Sequence, residues 1–132
     1  MSQENVEVVR RVYKAWNEGD PGLRYFHPAI ELRQMAGFLD TGGTFHGRNG
    51  VLQSGRQLLS GLRELHWTLH DFIPAPDDQV VVPFSAHAVG RTSKVPVEMR
   101  LVHVWTIQDG LAIRMLTYED LGQALVAVGL RE

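Results

Sequence analysis

Cysteine is absent from this chain of 132 residues, which removes disulfide scaffolds, thiolate nucleophiles and sulfur-ligated metal sites. Charge of one sign never collects either: 13 Lys and Arg stand against 15 Asp and Glu, spread along the sequence. That leaves no basic footprint for nucleic acid or an anionic membrane surface, and neither partner is expected. Apolar runs stay far short of the roughly 20 residues that span a bilayer, and residues 1–5 lack the basic start and apolar stretch of a secretory leader. A cytoplasmic protein is the expectation. There is no phosphate-binding glycine loop, no nucleophile elbow and no His-Glu-x-x-His pair. No cofactor or metal is therefore expected, and covalent catalysis and nucleotide use are disfavoured.

What is present is enough apolar material, 44% of residues, for one sizeable core, so a single domain over residues 1–132 is expected. Val6, Val9, Tyr13 and Trp16 recur at helical spacing, with Glu7, Arg10, Arg11 and Lys14 between them. Ser2 is a candidate N-cap, and Gly19-Asp20-Pro21 stops the helix. Asp20 and Pro21 then predict a second, short helix through Leu23 to Phe26, broken by His27-Pro28. Residues 29–35 alternate as a strand does, and residues 37–50, rich in glycine and turn formers, read as a flap. Val51, Leu52, Leu58, Leu59 and Leu62 outline a third helix.

Beyond residue 65 the period becomes two, over residues 65–73, 80–89, 95–107 and 111–119, a four-strand meander. Gln108-Asp109-Gly110 predicts a tight hairpin, and Pro83 an edge position or a bulge. Residues 122–129 close the chain as a short helix or tail. Helices first and a meander after read as α+β: N-terminal helices packed on a strongly curved, mostly antiparallel sheet that forms a cone-shaped pocket.

The same order of elements carries Tyr13-Lys14-Ala15-Trp16-Asn17-Glu18-Gly19-Asp20, Phe26-His27-Pro28, Phe45-His46-Gly47-Arg48, Asp109-Gly110 and Tyr118-Glu119-Asp120. With these the chain resembles the SnoaL-like polyketide cyclase family of the nuclear transport factor 2-like superfamily. The resemblance implies a small-molecule pocket and a homodimer formed through the sheet. Members of the superfamily include aldol cyclases, ketosteroid isomerase, limonene epoxide hydrolase and non-catalytic binding modules, so fold alone does not choose a reaction. Carried over by position, the isomerase's helix tyrosine falls on Val12, its strand base on Gln34 and its protonated aspartate on His103, while the cyclases' aspartate falls near Thr117. The catalytic set of neither enzyme is present in full.

His103 is the residue around which a site is expected, because it shares a strand face with Met99, Leu101, Trp105 and Ile107. An imidazole among hydrocarbon is either an acid/base or polarising group for a carbonyl ligand or a buried, hydrogen-bonded core residue. Glu119 lies on the inward parity of the last strand and is the candidate catalytic helper, with a solvated strand-end carboxylate as the alternative. Gln34 and Thr117 are candidate ligand-orienting groups, and Tyr13, Trp16 and Trp105 candidate pocket walls, with Met35, Phe38 and Trp67 beside them. His66 and His70 have a helical zinc spacing, but on a strand they stand about 13 Å apart. Val102 and Val104, outward on their strand, are candidate subunit contacts. The ligand expected is a small apolar or weakly polar organic molecule. It would be turned over by a cofactor-independent isomerase, cyclase or hydratase, or simply bound by a carrier or sensor.

Overall fold

The computed structural model describes residues 2–34 and 43–131. The first element is α1 (Ser2–Asn17); of the predicted stripe Val9 and Tyr13 are buried and Val6 and Trp16 partly so, with Val12 and Ala15 buried beside them. It ends at Gly19, which takes φ 81°. Asp20 does not cap a second helix. Its carboxylate accepts from the Gly22 N–H and from Arg24, both at 2.8 Å, and only a single 3-10 turn follows (Leu23–Tyr25). The expected helix is cut short because Phe26 already belongs to β1 (Phe26–Gln34), paired with Ala112 of the last strand. His27 and Pro28 lie inside that strand, where its register slips between Phe26 and Glu31, so the proline interrupts no regular ladder.

After the undescribed segment, which contains Met35 and Phe38, come β2 (Gly43–His46) and α2 (Gly47–Gly61). Part of the predicted flap is thus a short strand, antiparallel to β1. Then follow β3 (Leu62–Leu69), β4 (Ile73–Ala75), β5 (Gln79–Gly90), β6 (Pro96–Gln108), β7 (Leu111–Tyr118) and α3 (Leu121–Ala127). The open seven-strand sheet runs β2-β1-β7-β6-β5-β3, with β4 also on β5, and every pairing is antiparallel except β1 with β7. The predicted strand over residues 65–73 is therefore two strands, separated at residues 70–72. Pro83 lies opposite that gap, and its carbonyl accepts from the His70 N–H at 2.9 Å. Pro83 is thus in neither an edge strand nor a bulge, the two expected positions; it is tolerated in an interior strand because the N–H it lacks faces the break between β3 and β4.

Asp109 and Gly110, at φ 55° and 75°, make the two-residue turn between Gln108 and Leu111. Bulges at Glu64 in β3 and at Ile113 in β7 offset the ladder and increase local twist. The inner face of the sheet meets α1 and α2. On the outer face, Ala124 and Val128 of the C-terminal segment pack on Val81, Val102 and Val104. Val102 and Val104, the outward valines expected as subunit contacts, are only 3% and 1% exposed, being packed against this C-terminal segment instead.

Candidate functional site

Along β6 the inward residues alternate as Val97, Met99, Leu101, His103, Trp105 and Ile107. Register places Val80, Val82, Phe84 and Ala86 of β5 on one side of this row, and Met115 and Thr117 of β7 on the other. The helices cover the row unevenly. Toward Trp105 it is filled by Val9, Val12, Tyr13, Phe26 and Ile30. Toward Met99 it opens into a cavity of about 420 Å³ bounded by α2, the last turn of α1 and residues 19–21. That volume suits a small organic ligand.

The walls are mostly hydrocarbon and aromatic, with Trp67, Phe84, Leu101, Leu58 and Met115 prominent. The Asn17 side chain bonds both backbone groups of Trp67, accepting from its N–H at 2.8 Å and donating to its carbonyl at 2.9 Å, and so ties α1 to the edge strand β3. Trp16 donates its indole N–H to the Pro21 carbonyl at 3.0 Å, which fixes the loop over the same end. Polar groups are few and grouped. The Gln34 amide donates to the Ser54 hydroxyl, the Thr117 hydroxyl donates to the Arg33 carbonyl at 2.9 Å, and Thr117 is the cross-strand partner of His103.

His103 sits where the packed and open halves meet and is 4% exposed. The Phe84 ring lies 4.2 Å from its own. Its Nδ1 is 2.6 Å from the Tyr13 hydroxyl, which accepts the Trp105 indole N–H at 2.9 Å. Burial drives the imidazole down to about 3 and the Tyr13 phenol well above its ordinary value, against a smaller opposing pull from the Trp105 hydrogen bond. Both side chains are neutral across the physiological range. Nε2 of His103 has no hydrogen bond among the described residues, yet no side-chain nitrogen or oxygen there is both buried and unpartnered. Since His103 lines the cavity, Nε2 is reached from that space.

Of the residues predicted from sequence, His103, Gln34, Thr117, Trp16 and Trp67 line the cavity. Tyr13 and Trp105 do not: both are fully buried and stand behind His103 as its support. Strand parity identified their face correctly but not the depth of helix cover above them. Glu119 also leaves the site. It is exposed, one residue past the end of β7, and lines no part of the cavity. The alternation stops there because the chain turns so that Asp120 can cap α3, its Oδ1 accepting from the Gln123 N–H at 2.8 Å. The side chain that does bond His103 is the Tyr13 phenol. Burial that keeps the imidazole uncharged at neutral pH also makes it a weak proton acceptor, while both ring nitrogens keep their hydrogen-bonding capacity.

Asn17 and Ser54 were missed. Ser54 is three residues after Val51 and four before Leu58, so helical spacing put it on the buried face. Asn17 follows Tyr13 by four residues, but nothing local marks its bond to a strand 50 residues away. Val12, aligned with the isomerase tyrosine, is core, and its neighbour Tyr13 meets residue 103. The described lining holds a single carboxylate, Asp20, kept below its ordinary value by the Gly22 N–H and by Arg24. Among the described residues no three His, Asp or Glu side chains gather as metal ligands; His66 and His70 are exposed. Among them, too, no helix is long and apolar enough to cross a membrane.

The architecture is thus an open α+β sheet whose inner face, with α1 and α2, encloses a cavity that is apolar apart from a few grouped polar atoms. The chain belongs to the SnoaL-like domain family, which matches residues 9–115. Its fold is shared with an NTF2-like protein of unknown function from Burkholderia pseudomallei K96243, at 24% identity and a TM-score of 0.80, covering 97% of this chain and 98% of that one. TerC, crystallised with polyporic acid, is 26% identical with a TM-score of 0.79, over 95% of this chain and 97% of its own. SalBIII, an epoxide hydrolase/cyclase-like enzyme of pyran ring formation in polyether salinomycin, is 17% identical with a TM-score of 0.74, over 90% and 92%. None of the curated proteins matches the chain.

Proposed function

We propose that this protein binds a small, mainly apolar carbonyl compound in the cavity, with neutral His103 facing the ligand oxygen. The observation that carries this reading is an uncharged imidazole opening, through Nε2, on walls made otherwise of hydrocarbon and aromatic rings. Such a group adds orientation where shape alone gives little. The polyporic acid in crystals of TerC, the relative at 26% identity, supports an organic ligand.

Catalysis would be cofactor-independent isomerisation, cyclisation or hydration, in which a hydrogen bond from His103 stabilises negative charge growing on the substrate oxygen. A neutral histidine acting as electrophile in this way has precedent. Such a reaction also needs a proton acceptor. Asp20, the one carboxylate in the described lining, is bonded to Gly22 and Arg24 and makes a weak base. That observation favours the second reading, a carrier or sensor that binds without turnover.

Thermal-shift titrations with paired compounds test the proposal: aryl and alicyclic ketones against hydrocarbons of the same skeleton. The wild-type protein should prefer the ketones by about five- to ten-fold, the worth of one hydrogen bond, and His103→Leu should lose that preference while still binding hydrocarbons. Equal ketone preference in the variant would overturn it. Following each bound ketone by NMR for turnover separates enzyme from carrier.

A further inference from the structure

The three polar groups behind the cavity form a chain whose direction is fixed by chemistry. Trp105 Nε1–H can only donate, and its acceptor is the Tyr13 oxygen at 2.9 Å. That oxygen is also 2.6 Å from His103 Nδ1, with the two rings within 11° of parallel. Two arrangements are conceivable. If Tyr13 donates its O–H to Nδ1, every group in the chain is satisfied. If instead Nδ1–H donates to Tyr13, the phenol oxygen receives two hydrogens and its own O–H is buried with no acceptor among the described residues. A buried orphan donor is the costly outcome.

We propose that Tyr13 and Trp105 are positioning residues that hold His103 in the single neutral form carrying its proton on Nε2, so that the ring offers the cavity a donor and no acceptor. The second ring nitrogen of a histidine ordinarily sets the state of the first in this way. The consequence is a selectivity rule: the ligand atom that meets His103 is an acceptor, such as a carbonyl, ether or enolate oxygen, and an N–H or O–H pointed at that ring finds no lone pair. The consequence for ligands rests on the cavity being the binding site, as proposed above. The proton placement is a property of the protein by itself.

Histidine-labelled ¹⁵N NMR at neutral pH without any added compound tests it, His103 being assigned by the signals lost in His103→Gln. A pyridine-type Nδ1 and a pyrrole-type Nε2 are expected, the Nε2–H form outnumbering the other by roughly ten-fold or more. A pyrrole-type Nδ1 would overturn the inference. Tyr13→Phe should move both nitrogens toward the averaged shifts of a mixture, and Trp105→Phe should move them less, because the phenol O–H remains. Unchanged tautomer signals in a folded Tyr13→Phe would also overturn it. If Tyr13→Phe fails to fold, the wild-type nitrogens still decide. A wild-type spectrum as expected, alongside a ketone series that does not bind, retains the tautomer assignment and refutes the binding reading instead.

Discussion

The two ends of one strand face differ more than the two faces do. Toward Trp105, the inner side of β6 is as dry and filled as its outer side, where α3 seals Val102 and Val104. Toward Met99 and Leu101 the same side borders a hollow. The difference comes from α1, whose Val9, Val12 and Tyr13 reach the first end, while its last turn departs at Gly19. His103 stands on the boundary, supported from the packed half and open to the other. The cavity thus begins where the cover of α1 runs out, not where the strand changes.

Truncation should separate the ends most sharply. Trp105→Ala is expected to lower stability by about 3–5 kcal/mol, the usual result for a fully enclosed aromatic, whereas Leu101→Ala should cost about 1–2 kcal/mol because part of its surface already faces space. Urea denaturation of both variants checks this, and similar losses would erase the distinction. Acid should act through the boundary residue. His103 is neutral in the folded protein down to about pH 3 but takes up a proton near 6.5 once unfolded. The unfolded state therefore binds more protons between those values, and stability falls as pH drops through that window. The slope is up to about 1.4 kcal/mol per pH unit, on top of other groups. His103→Gln should flatten the curve from pH 6.5 downward, and a variant with the wild-type slope would contradict the burial argument.

On the outer side, Asp120→Ala removes the cap of α3 and should cost about 1 kcal/mol, read from the same denaturation curves. A loss near zero would mean that Ala124 and Val128 hold the helix without its cap. Smallest of all, Glu119→Gln should change stability by less than about 0.5 kcal/mol and leave ketone binding untouched. A clear effect on binding would return that carboxylate to the site.

Much of this was legible because it is local. Alternation marked β5, β6 and β7, and Asp109-Gly110 marked a hairpin. The face of His103 followed from the same alternation. Parity has no third dimension, however, so Tyr13 and Trp105 looked like walls when they are supports. Gly43-Thr44-Phe45-His46 reads as turn material and becomes a strand only beside β1. The parallel pairing of β1 with β7 joins segments some 80 residues apart and leaves no mark in either. Glu119 was misplaced by one step of extrapolation, since alternation holds only while the strand lasts.

The short helix closing the chain has a further implication. Were the protein cut after Glu119, every strand and the whole cavity wall would survive in the shortened chain, but a bare valine strip would face water. Such a fragment would be expected to cling to its own copies and fall out of solution, so the solubility of a sheet built from the preceding residues depends on about two turns of α-helix.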